Sequence, residues 1–577
     1  MNTFLFGINA KFIHSNLAIR YLQVYAKQKY SLSINICEFT INQRLEFILR
    51  EIYLKKPDII GFSCYIWNYE YVKSLCHEIK KVLPNVVIIL GGPEVSFNPH
   101  DVLVKTCCDY VISGEGEEPF ARLVFALENN MSTEDISGIS FLKKQSVQIN
   151  ENTSCVSLDD IAFVYNDISD LENKIIYYES SRGCPFNCQY CLSSSTRGVK
   201  FLSLQRVYSD LDFFLKKSVR QVKFVDRTFN CDKKRAIEIW KYLIENDNGI
   251  TNFHFEIAAD LIDEDMILLV KLARRGLFQF EIGIQSTNTK TLKAIKRNND
   301  MLKLSEIINK IRSGKNIHLH LDLIAGLPYE DYKSFSHSFD YVYSLKPDQL
   351  QLGFLKLLKG SGLYDMKEKY SIAYTDYAPY EVLSTDSLSF DEILQLKSIE
   401  EMVECFYNSN RFINTIDYLS QQFSSPFCMF EALSDFYIAN SYNQMAHNKL
   451  DYYDMLFDFF IKLNRGDPDT FSLCCTYDIF SHEKVKVVPK WVDMTLNVKY
   501  REEIFAFFDK HQNILEFLPE YEGWDTKQII RQSHIQVFKN NPITLQHETT
   551  AFLYNYKDCD ILGNAQVVDI SKYILLD

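Results

Sequence analysis

Short apolar runs alternate with amphipathic stretches of helical period through the first two thirds of the chain, and this alternation limits the possible folds. The first series comprises residues 3–8, 32–40, 58–65, 86–90 and 109–113. Strands that alternate with helices favour a parallel sheet, because a parallel pair needs a crossover connection. We therefore predict a doubly wound α/β domain, Rossmann-like and of flavodoxin type, over residues 1–140, followed by a polar linker over 141–173.

A second series of the same kind begins near residue 174. Its predicted strands are residues 175–180, 221–225, 252–258, 278–284, 317–324 and 349–355. Six units of this spacing predict a partial (β/α)6 TIM-type barrel over residues 174–375, with a site at the carboxyl ends of its strands. The remainder, 376–577, predicts a mainly helical domain, with helices at 390–408 and 431–448 and short β-like runs near 485–488 and 550–556.

Composition narrows the function classes. Apolar residues make up 47% of the 577 residues, which excludes disordered and fibrous proteins. With 62 basic and 75 acidic residues the net charge is −13, so nucleic-acid and membrane partners are disfavoured. The start lacks a basic leader, no apolar run reaches the ~18 residues of a membrane span, and most of the 15 cysteines read as reduced thiols. We expect a cytoplasmic protein.

One set of cysteines has a spacing that suits a metal centre. Cys184, Cys188 and Cys191 follow the first strand of the second series on one loop. Three thiolates at spacings of four and three residues can ligate three irons of a cubane cluster and leave the fourth iron open. A structural zinc site would need a fourth Cys or His, and none lies nearby in the sequence.

This CxxxCxxC motif, with Tyr190 before the third cysteine, resembles the hallmark of the radical S-adenosylmethionine superfamily. The resemblance implies a [4Fe-4S] cluster on Cys184, Cys188 and Cys191 whose open iron chelates S-adenosylmethionine. It further implies that an electron from the cluster cleaves a C–S bond of S-adenosylmethionine and yields a 5′-deoxyadenosyl radical. The electron donor is expected to be a flavodoxin or a ferredoxin.

The same resemblance points to residues that hold S-adenosylmethionine. Residues 224–230 resemble the motif near its amino group, although Asp226 could instead cap a helix or join a loop salt bridge. Glu256 with Asp260, and Glu281 with Gln285, resemble elements near the ribose or the substrate, and 324–330 resembles the segment near the adenine. The expected ligands of S-adenosylmethionine are Tyr190, Asp226, Asn230, Glu256, Gln285 and Gly326, and no catalytic side chain is assigned.

The loops after the amino-terminal strands predict a second cofactor. They contain no GxGxxG and no P-loop, and the carboxylates of residues 114–117 would repel phosphates. The layout, including residues 91–95 and 113–117, resembles the cobalamin-binding (B12-binding) domain of cobalamin-dependent radical enzymes. The implied cobalamin contacts are Asn9, His14, Ser63, Gly91, Gly92, Glu94, Gly114, Glu115 and Gly116.

The lower axial ligand of cobalt is a point of departure from many cobalamin proteins. Their Asp-x-His-x-x-Gly loop does not occur here, and His14 lies in the corresponding loop at another offset. We therefore expect cobalamin without a histidine ligand, and a hydrogen bond or polar loop contact for His14.

Several functions remain compatible with these features. The first is methyl transfer from methylcobalamin to an unactivated centre, and a second is oxidative cyclisation of the anaerobic porphyrin-ester type. A methylthiotransferase would need a second cluster, for which the available cysteines are Cys37, Cys64, Cys76, Cys107 and Cys108. A cobalamin or cluster sensor without catalysis is a fourth possibility. Residues 377–383 and 407–412 resemble an uncharacterised carboxyl-terminal extension of one subgroup of the radical enzymes, which leaves the substrate unidentified.

Overall fold

The computed structural model describes residues 1–144, 146–195, 198–557, 559 and 564–574. The chain divides into two units, one of residues 1–335 with 353–390 and the other of residues 336–352 with 391–577. The first unit contains the amino-terminal sheet and nearly all of the central sheet. Within the described ranges, no helix combines the length and the apolar run needed to cross a bilayer.

The amino-terminal sheet has seven strands in the order β2-β1-β3-β4-β5-β6-β7. The strands are β1 (Thr3–Asn9), β2 (Ile34–Thr40), β3 (Ile59–Ser63), β4 (Val87–Gly91), β5 (Tyr110–Ile112), β6 (Ile139–Lys143) and β7 (Ser146–Ile149). The helices are α1 (Leu17–Tyr30), α2 (Leu45–Lys55), α3 (Tyr69–Val82), α4 (Pro93–Ser96), α5 (Pro99–Lys105) and α6 (Glu117–Glu128). Strands β1 to β5 are parallel in the flavodoxin-type order, which confirms the predicted fold class. The antiparallel β6 and β7 extend the sheet, so the predicted boundary at residue 140 falls inside β6.

The central sheet has six strands in the order β15-β14-β13-β12-β11-β8. They are β8 (Ile176–Tyr178), β11 (Gln221–Phe224), β12 (Asn252–Glu256), β13 (Phe278–Gln285), β14 (His318–Ala325) and β15 (Gln349–Phe354), and β9 (Ser181–Gly183) pairs with β10 (Val199–Phe201) as a hairpin. The intervening helices are α7 (Leu204–Lys216), α8 (Lys233–Glu245), α9 (Glu264–Val270), α10 (Thr289–Ala294), α11 (Met301–Arg312) and α12 (Tyr332–Ser344). This open series of six β/α units is the predicted partial barrel.

Alternate residues of the central strands have opposite surroundings. Phe224, Phe255 and Phe280 are fully buried and pack beside Trp240 of α8 or the rings of neighbouring strands. Their strand neighbours, which point to the opposite face, are charged or polar. We call this second surface the polar face; it comprises Lys223, His254, Glu256, Glu281, His320 and Asp322. One face of the sheet therefore packs in the hydrophobic core, and the other carries polar and titratable side chains.

After β15 the chain folds back over the carboxyl end of the central sheet. This part holds α13 (Gly362–Asp365) and the antiparallel pair β16 (Ala373–Tyr374) and β17 (Val382–Ser384). Leu355 N donates to Ala325 O at 2.9 Å, and Val382 N donates to Leu355 O at 2.9 Å. We call residues 355–384 the crossover segment; it belongs entirely to the first unit.

The second unit is mainly helical, as predicted, with a three-stranded antiparallel sheet near its end. Its further helices are α14 (Phe390–Val403), α15 (Ile413–Ser420), α16 (Pro426–Ala439), α17 (Asp451–Leu463), α18 (Pro468–His482), α19 (Thr495–Lys499), α20 (Arg501–Asp509), α21 (His511–Phe517), α22 (Thr526–Gln532) and α23 (Ser571–Ile574). The strands are β18 (Ser533–Phe538), β19 (Thr550–Asn555) and β20 (Gln566–Asp569). The predicted strand at 550–556 is confirmed by β19.

Two local predictions in this unit are wrong. The helix predicted at 431–448 begins at Pro426, because Ser425 caps it, and ends at Ala439, where Asn440 and a left-handed Ser441 stop it. The apolar run at 485–488 forms no strand. Val485 and Val488 instead pack as loop residues against a core that contains Phe480 and Phe552. In this loop, apolar residues contribute to the core without any strand pairing.

Candidate functional site

The three-cysteine loop is held at the carboxyl end of β8 by a tight hairpin. β9 precedes the loop and β10 follows it, and a Cβ at Gly183 would lie 2.3 Å from Gly198 O. Gly183 also has a positive φ of 102°, so this position requires glycine twice over. The hairpin therefore fixes the base of the loop that carries Cys184, Cys188 and Cys191.

The thiol set fits a cubane cluster better than a single ion. None of the three cysteines forms a disulfide, and Cys188 is 9% exposed. Among the described residues, no three His, Cys, Asp or Glu side chains converge on one ion. A cubane cluster does not require such convergence, because each thiolate ligates a different iron. The chemistry of this donor set fits a [4Fe-4S] cluster with one open iron.

Arg297, which the sequence reasoning missed, lies beside this loop. Its Nη1 is 3.9 Å from Cys188 Sγ and donates to Tyr190 Oη at 3.2 Å, and its Nη2 donates to Gly283 O. Burial raises the pKa of the Cys188 thiol, and the guanidinium opposes that rise. Tyr190, the aromatic residue of the motif, is therefore hydrogen-bonded to a partly buried guanidinium that favours the Cys188 thiolate. Arg297 ends a segment, 290–297, that is rich in basic residues, and such a segment is typical of a solvent-exposed surface.

Asp226 and Asn230 are buried and bonded to the backbone or side chains around them. Asp226 Oδ1 accepts from Ser180 N at 2.8 Å, and Oδ2 accepts from the hydroxyls of Ser180 and Ser181 at 2.7 and 2.6 Å. The Asn230 amide pairs with both backbone polar groups of Ala258. These two side chains hold together the ends of β8, β11 and β12, and their contact with S-adenosylmethionine stays a prediction.

The polar face carries a network of charges on adjacent strands. Glu281 Oε2 lies 3.0 Å from Lys223 Nζ and 2.9 Å from His254 Nε2. These contacts lower the pKa of Glu281, although burial acts in the opposite direction. The side chains of Lys223 and Glu281 remain 25% and 21% exposed, so this face borders open space. The network presents a fixed set of donors and acceptors to whatever enters that space.

Two carboxyls of the polar face have raised pKa values. Burial and the charge of Glu281 raise the pKa of Glu256 to about 7. The same two causes raise the pKa of Asp322 well above its usual range, and burial lowers the pKa of neighbouring His320 to about 4. Asp322 was not predicted from the sequence. A protonated Asp322 can donate a hydrogen bond, which an ionised carboxylate cannot.

Gln285 and Gly326 lie at the carboxyl ends of their strands. Gln285 is buried with φ at 72°, and its Oε1 has no hydrogen-bond partner in the structure. An unpartnered buried amide oxygen is costly and fits a bound ligand with a donor group. Gly326 has φ at 86°, and a Cβ there would lie 2.7 Å from Val382 of the crossover segment. Gly326 is thus needed for protein packing, and its predicted approach to the adenine stays a prediction.

The rim of the amino-terminal sheet combines close backbone approaches with side-chain hydrogen bonds. A Cβ at Gly92, where φ is 113°, would lie 2.5 Å from Cys64 O, and Gly91 O accepts from Cys64 N at 2.7 Å. Ser63 Oγ accepts from Asn16 Nδ2 at 2.9 Å, and the Asn9 amide donates to His14 O and to Glu38. Hydrogen bonds therefore join the loops that follow β1, β3 and β4.

Large apolar side chains stand exposed along the same rim. Phe12, Trp67 and Phe97 follow β1, β3 and β4, and they are 68%, 44% and 41% exposed. Exposed apolar groups gathered on one edge indicate a binding surface. A flat, largely apolar ring system such as a corrin fits this rim, whose backbone loops approach each other closely.

His14 is bonded to the first strand of the central sheet. Tyr177 Oη lies 2.7 Å from His14 Nδ1, and Ile175 N donates to Ile13 O at 2.7 Å. Burial and the charge of Lys11 lower the pKa of His14. Nδ1 of His14 is therefore hydrogen-bonded to Tyr177, which agrees with the predicted hydrogen bond for His14.

Residues 114–117 connect the two halves of the first unit. Glu115 Oε1 lies 2.8 Å from Lys200 Nζ, and Glu117 Oε1 lies 2.8 Å from Arg182 Nη2. Gly114 N donates to Ser96 Oγ, and Gly116 caps α6. The predicted cobalamin contact of Glu115 is untested, whereas its ion pair places this loop next to the hairpin that carries the cysteines.

Three family models match successive parts of the chain. The B12 binding domain matches residues 5–124, and the radical SAM superfamily matches residues 178–342. The model described as protein of unknown function DUF4080 matches residues 368–554. The first two models coincide with the amino-terminal rim and the cysteine loop described above. The chain uses a [4Fe-4S] cluster, S-adenosylmethionine and cobalamin.

Known proteins resemble between about half and nine tenths of the chain. An uncharacterised methyltransferase of Pyrococcus horikoshii is 25% identical over 55% of this chain and 70% of its own length. The cobalamin-dependent radical SAM methyltransferase TokK of Streptomyces tokunonensis is 25% identical over 48% of this chain, which spans only 44% of TokK. The solved structure of OxsB with aqua-cobalamin and S-adenosylmethionine superposes with a TM-score of 0.57 at 15% identity, covering 91% of this chain and 84% of OxsB. The chain therefore carries a B12-binding domain, a radical SAM domain and a DUF4080 domain in succession, and it resembles cobalamin-dependent radical S-adenosylmethionine enzymes.

Proposed function

We propose that the chain is a methyltransferase that moves a methyl group from methylcobalamin to an unactivated carbon or phosphorus centre. The observation that carries this proposal is the direct connection between the two cofactor loops. Arg182, which lies two residues before Cys184, is held by Glu117 of the cobalamin domain at 2.8 Å. This contact keeps the cysteine loop next to residues 114–117, which the resemblance assigns to the cobalamin site. The resemblance to two methyltransferases supports methyl transfer as the outcome.

The cofactors supply the reactive species, and the protein supplies position and exclusion of water. When bound, the cluster provides the electron that cleaves S-adenosylmethionine and cobalamin carries the methyl group. Cys184, Cys188 and Cys191 hold three irons, and Gln285 offers its unpartnered oxygen to S-adenosylmethionine. A reduced flavodoxin or ferredoxin is the proposed electron donor.

The polar face orients the substrate in this proposal. Glu281, held by Lys223 and His254, is a fixed acceptor. Burial raises the pKa of Asp322 and so favours the protonated form, which can donate to a polar substrate group. Because these side chains project from regular strands, their positions depend little on loop motion.

The test is anaerobic reconstitution with iron, sulfide and hydroxocobalamin, followed by S-adenosylmethionine and a strong reductant. The expected result is about four irons per chain, one corrin, and formation of both 5′-deoxyadenosine and S-adenosylhomocysteine. Cys188→Ala is expected to form no 5′-deoxyadenosine. Cys231→Ala is the matched control, because Cys231 is a half-buried cysteine near Cys184 that lies outside the motif.

The products separate this proposal from the other functions. 5′-Deoxyadenosine without S-adenosylhomocysteine would favour an oxidative cyclase. About eight irons and no corrin would favour a methylthiotransferase. Neither product under strong reductant would favour a sensor. Any of these three results would contradict methyl transfer.

A further inference from the structure

The crossover segment, residues 355–384, touches the loops assigned to all three cofactors. It follows the last barrel strand and includes the start of the DUF4080 match at residue 368. All of its contacts with these loops lie within the first unit.

Its contacts with the cysteine loop and the adenine segment are close backbone contacts. Leu363 N donates to Gln189 O at 2.8 Å, between Cys188 and Tyr190. A Cβ at Gly362 would lie 2.1 Å from Gln189 Oε1, and Val382 lies against Gly326. The crossover segment therefore packs on the carboxyl ends of β8 and β14.

Its contact with the cobalamin loop is made by side chains. Tyr380 Oη donates to Glu94 Oε1 at 2.5 Å, although Tyr380 and Glu94 are 286 residues apart. Tyr380 is 4% exposed, and Lys359 Nζ lies 5.3 Å from the centre of its ring. A Cβ at Gly360 would lie 2.3 Å from the Phe97 ring. Both ends of the helix that follows Gly92, α4 (Pro93–Ser96), are thus contacted by this segment.

The partly buried carboxylate of Glu94 is stabilised by a hydrogen-bond donor. Burial raises the pKa of Glu94, and the Tyr380 hydroxyl opposes that rise. A hydrogen bond to a carboxylate is about twice as strong as one between neutral groups. Glu94 lies two residues after Gly92, so holding its carboxylate also holds the glycine turn that the corrin rim requires.

We propose that Tyr380 of the crossover segment is a positioning residue of the cobalamin site, acting through Glu94 to fix the loop of residues 91–94. The inference rests on the cobalamin site assigned above. It gives the first part of the DUF4080 region a function in cofactor binding rather than in substrate recognition.

The test compares Tyr380→Phe with Tyr377→Phe in the full chain. Tyr377 lies in the same segment but is 62% exposed. Hydroxocobalamin is titrated into cobalamin-free protein, and binding is followed by absorbance. We expect the Kd of Tyr380→Phe to rise about tenfold, which corresponds to about 1.4 kcal/mol, and that of Tyr377→Phe to stay unchanged. The electron paramagnetic resonance lines of bound cob(II)alamin are expected to broaden only in Tyr380→Phe.

A second pair of variants tests whether Tyr380 acts through Glu94. In a Glu94→Ala background, Tyr380→Phe is expected to add no further loss of affinity. An unchanged Kd in Tyr380→Phe, or an equal further loss in the Glu94→Ala background, would overturn the inference. If Tyr380→Phe does not fold, Glu94→Gln decides instead. It keeps an acceptor for Tyr380 and is expected to bind more tightly than Glu94→Ala, and equal affinities would overturn the inference.

The wild-type titration separates this inference from the assignment beneath it. If the wild-type chain does not bind hydroxocobalamin, the cobalamin site itself is wrong and the role of Tyr380 falls with it. If wild type binds and Tyr380→Phe binds equally well, only the role of Tyr380 is wrong.

Discussion

The two parallel sheets of the first unit use their residues in opposite ways. In the amino-terminal sheet both faces of β3 are buried, and the polar contacts lie toward the carboxyl ends of the strands and in the loops beyond them. In the central sheet only one face is apolar, and charged side chains such as Lys223 and Glu281 project from the strands themselves. The first sheet therefore supports a site made of backbone loops, and the second supports a site made of side chains.

This difference follows from what each sheet has to bind. A corrin is large and flat, so it needs a long rim with backbone close to the ring plane, which glycine permits. Groups that orient a reacting substrate must be placed to within a fraction of an ångström, which rigid strands provide. We therefore expect substitutions on the apolar face of the central sheet to affect mainly stability. Substitutions at the amino-terminal rim should affect mainly cobalamin binding, and those on the polar face should affect mainly the chemistry.

The largest effect is expected for the apolar face of the central sheet. Phe255 is fully buried, with ring centres of Phe229 and Phe224 at 4.3 and 4.6 Å. Phe255→Ala removes this packing and leaves a cavity, which is expected to lower the free energy of unfolding by about 3–5 kcal/mol. Urea denaturation of the purified protein measures it.

His254→Ala is the matched comparison, because His254 precedes Phe255 on the same strand and points to the polar face. Its loss leaves Glu281 with Lys223 as a partner, so the expected cost is below about 1.5 kcal/mol. Equal costs for the two variants would contradict the division of this sheet into a structural face and a functional face.

The next effect is expected at the amino-terminal rim. Gly92→Ala combines a positive φ of 113° with a Cβ placed 2.5 Å from Cys64 O. The strain is expected to cost about 2–3 kcal/mol and to displace the rim, so hydroxocobalamin should bind at least tenfold more weakly. Gly249→Ala is the control, because Gly249 also has a positive φ but no atom within 4 Å of its Cβ position. Similar loss of cobalamin in both variants would show that backbone strain, and not the rim, is responsible.

A smaller effect concerns pH and the polar face. The pKa of Glu256 is raised to about 7 in the folded chain, against about 4.3 in an unfolded one. A raised carboxyl pKa means that the fold prefers the protonated form, so stability falls as pH rises from about 4.3 to 7. Glu256→Gln removes that fall. The free energy of unfolding of the variant minus that of wild type is therefore expected to increase by about 2 kcal/mol between pH 5 and pH 8, after allowance for solvent screening. Parallel pH profiles of stability for the two proteins would contradict the raised pKa.

Much of this arrangement can be predicted from sequence, because buried strands are local patterns. The run at 58–65 predicts β3, which spans Ile59–Ser63 between a preceding Pro57 and the turn of residues 66–68. The cysteine loop is likewise local, since all three ligands lie within eight residues. Local periodicity and spacing therefore account for the fold class and for the proposed cluster ligands Cys184, Cys188 and Cys191.

The pairings that sequence reasoning missed join residues that lie far apart in the chain. Lys223 and Glu281 are 58 residues apart, and Tyr380 and Glu94 are 286 apart. Each of these side chains, read alone, is typical of a solvated surface or an ordinary core position. These pairings appear only when the fold brings distant parts of the chain together, which no local pattern records.

The smallest effect is expected for His14, where the two sheets meet. Tyr177 of the central sheet occupies Nδ1 of His14 at 2.7 Å, and burial lowers the pKa of the ring. If His14 only joins the sheets, His14→Ala should cost less than about 1.5 kcal/mol and leave the spectrum of bound cob(II)alamin unchanged. Electron paramagnetic resonance decides this, because a nitrogen ligand to cob(II)alamin splits its lines and its loss removes the splitting. Splitting in the wild type that disappears in His14→Ala would make His14 an axial ligand, and the rim would then bind cobalamin through a side chain as well as through backbone.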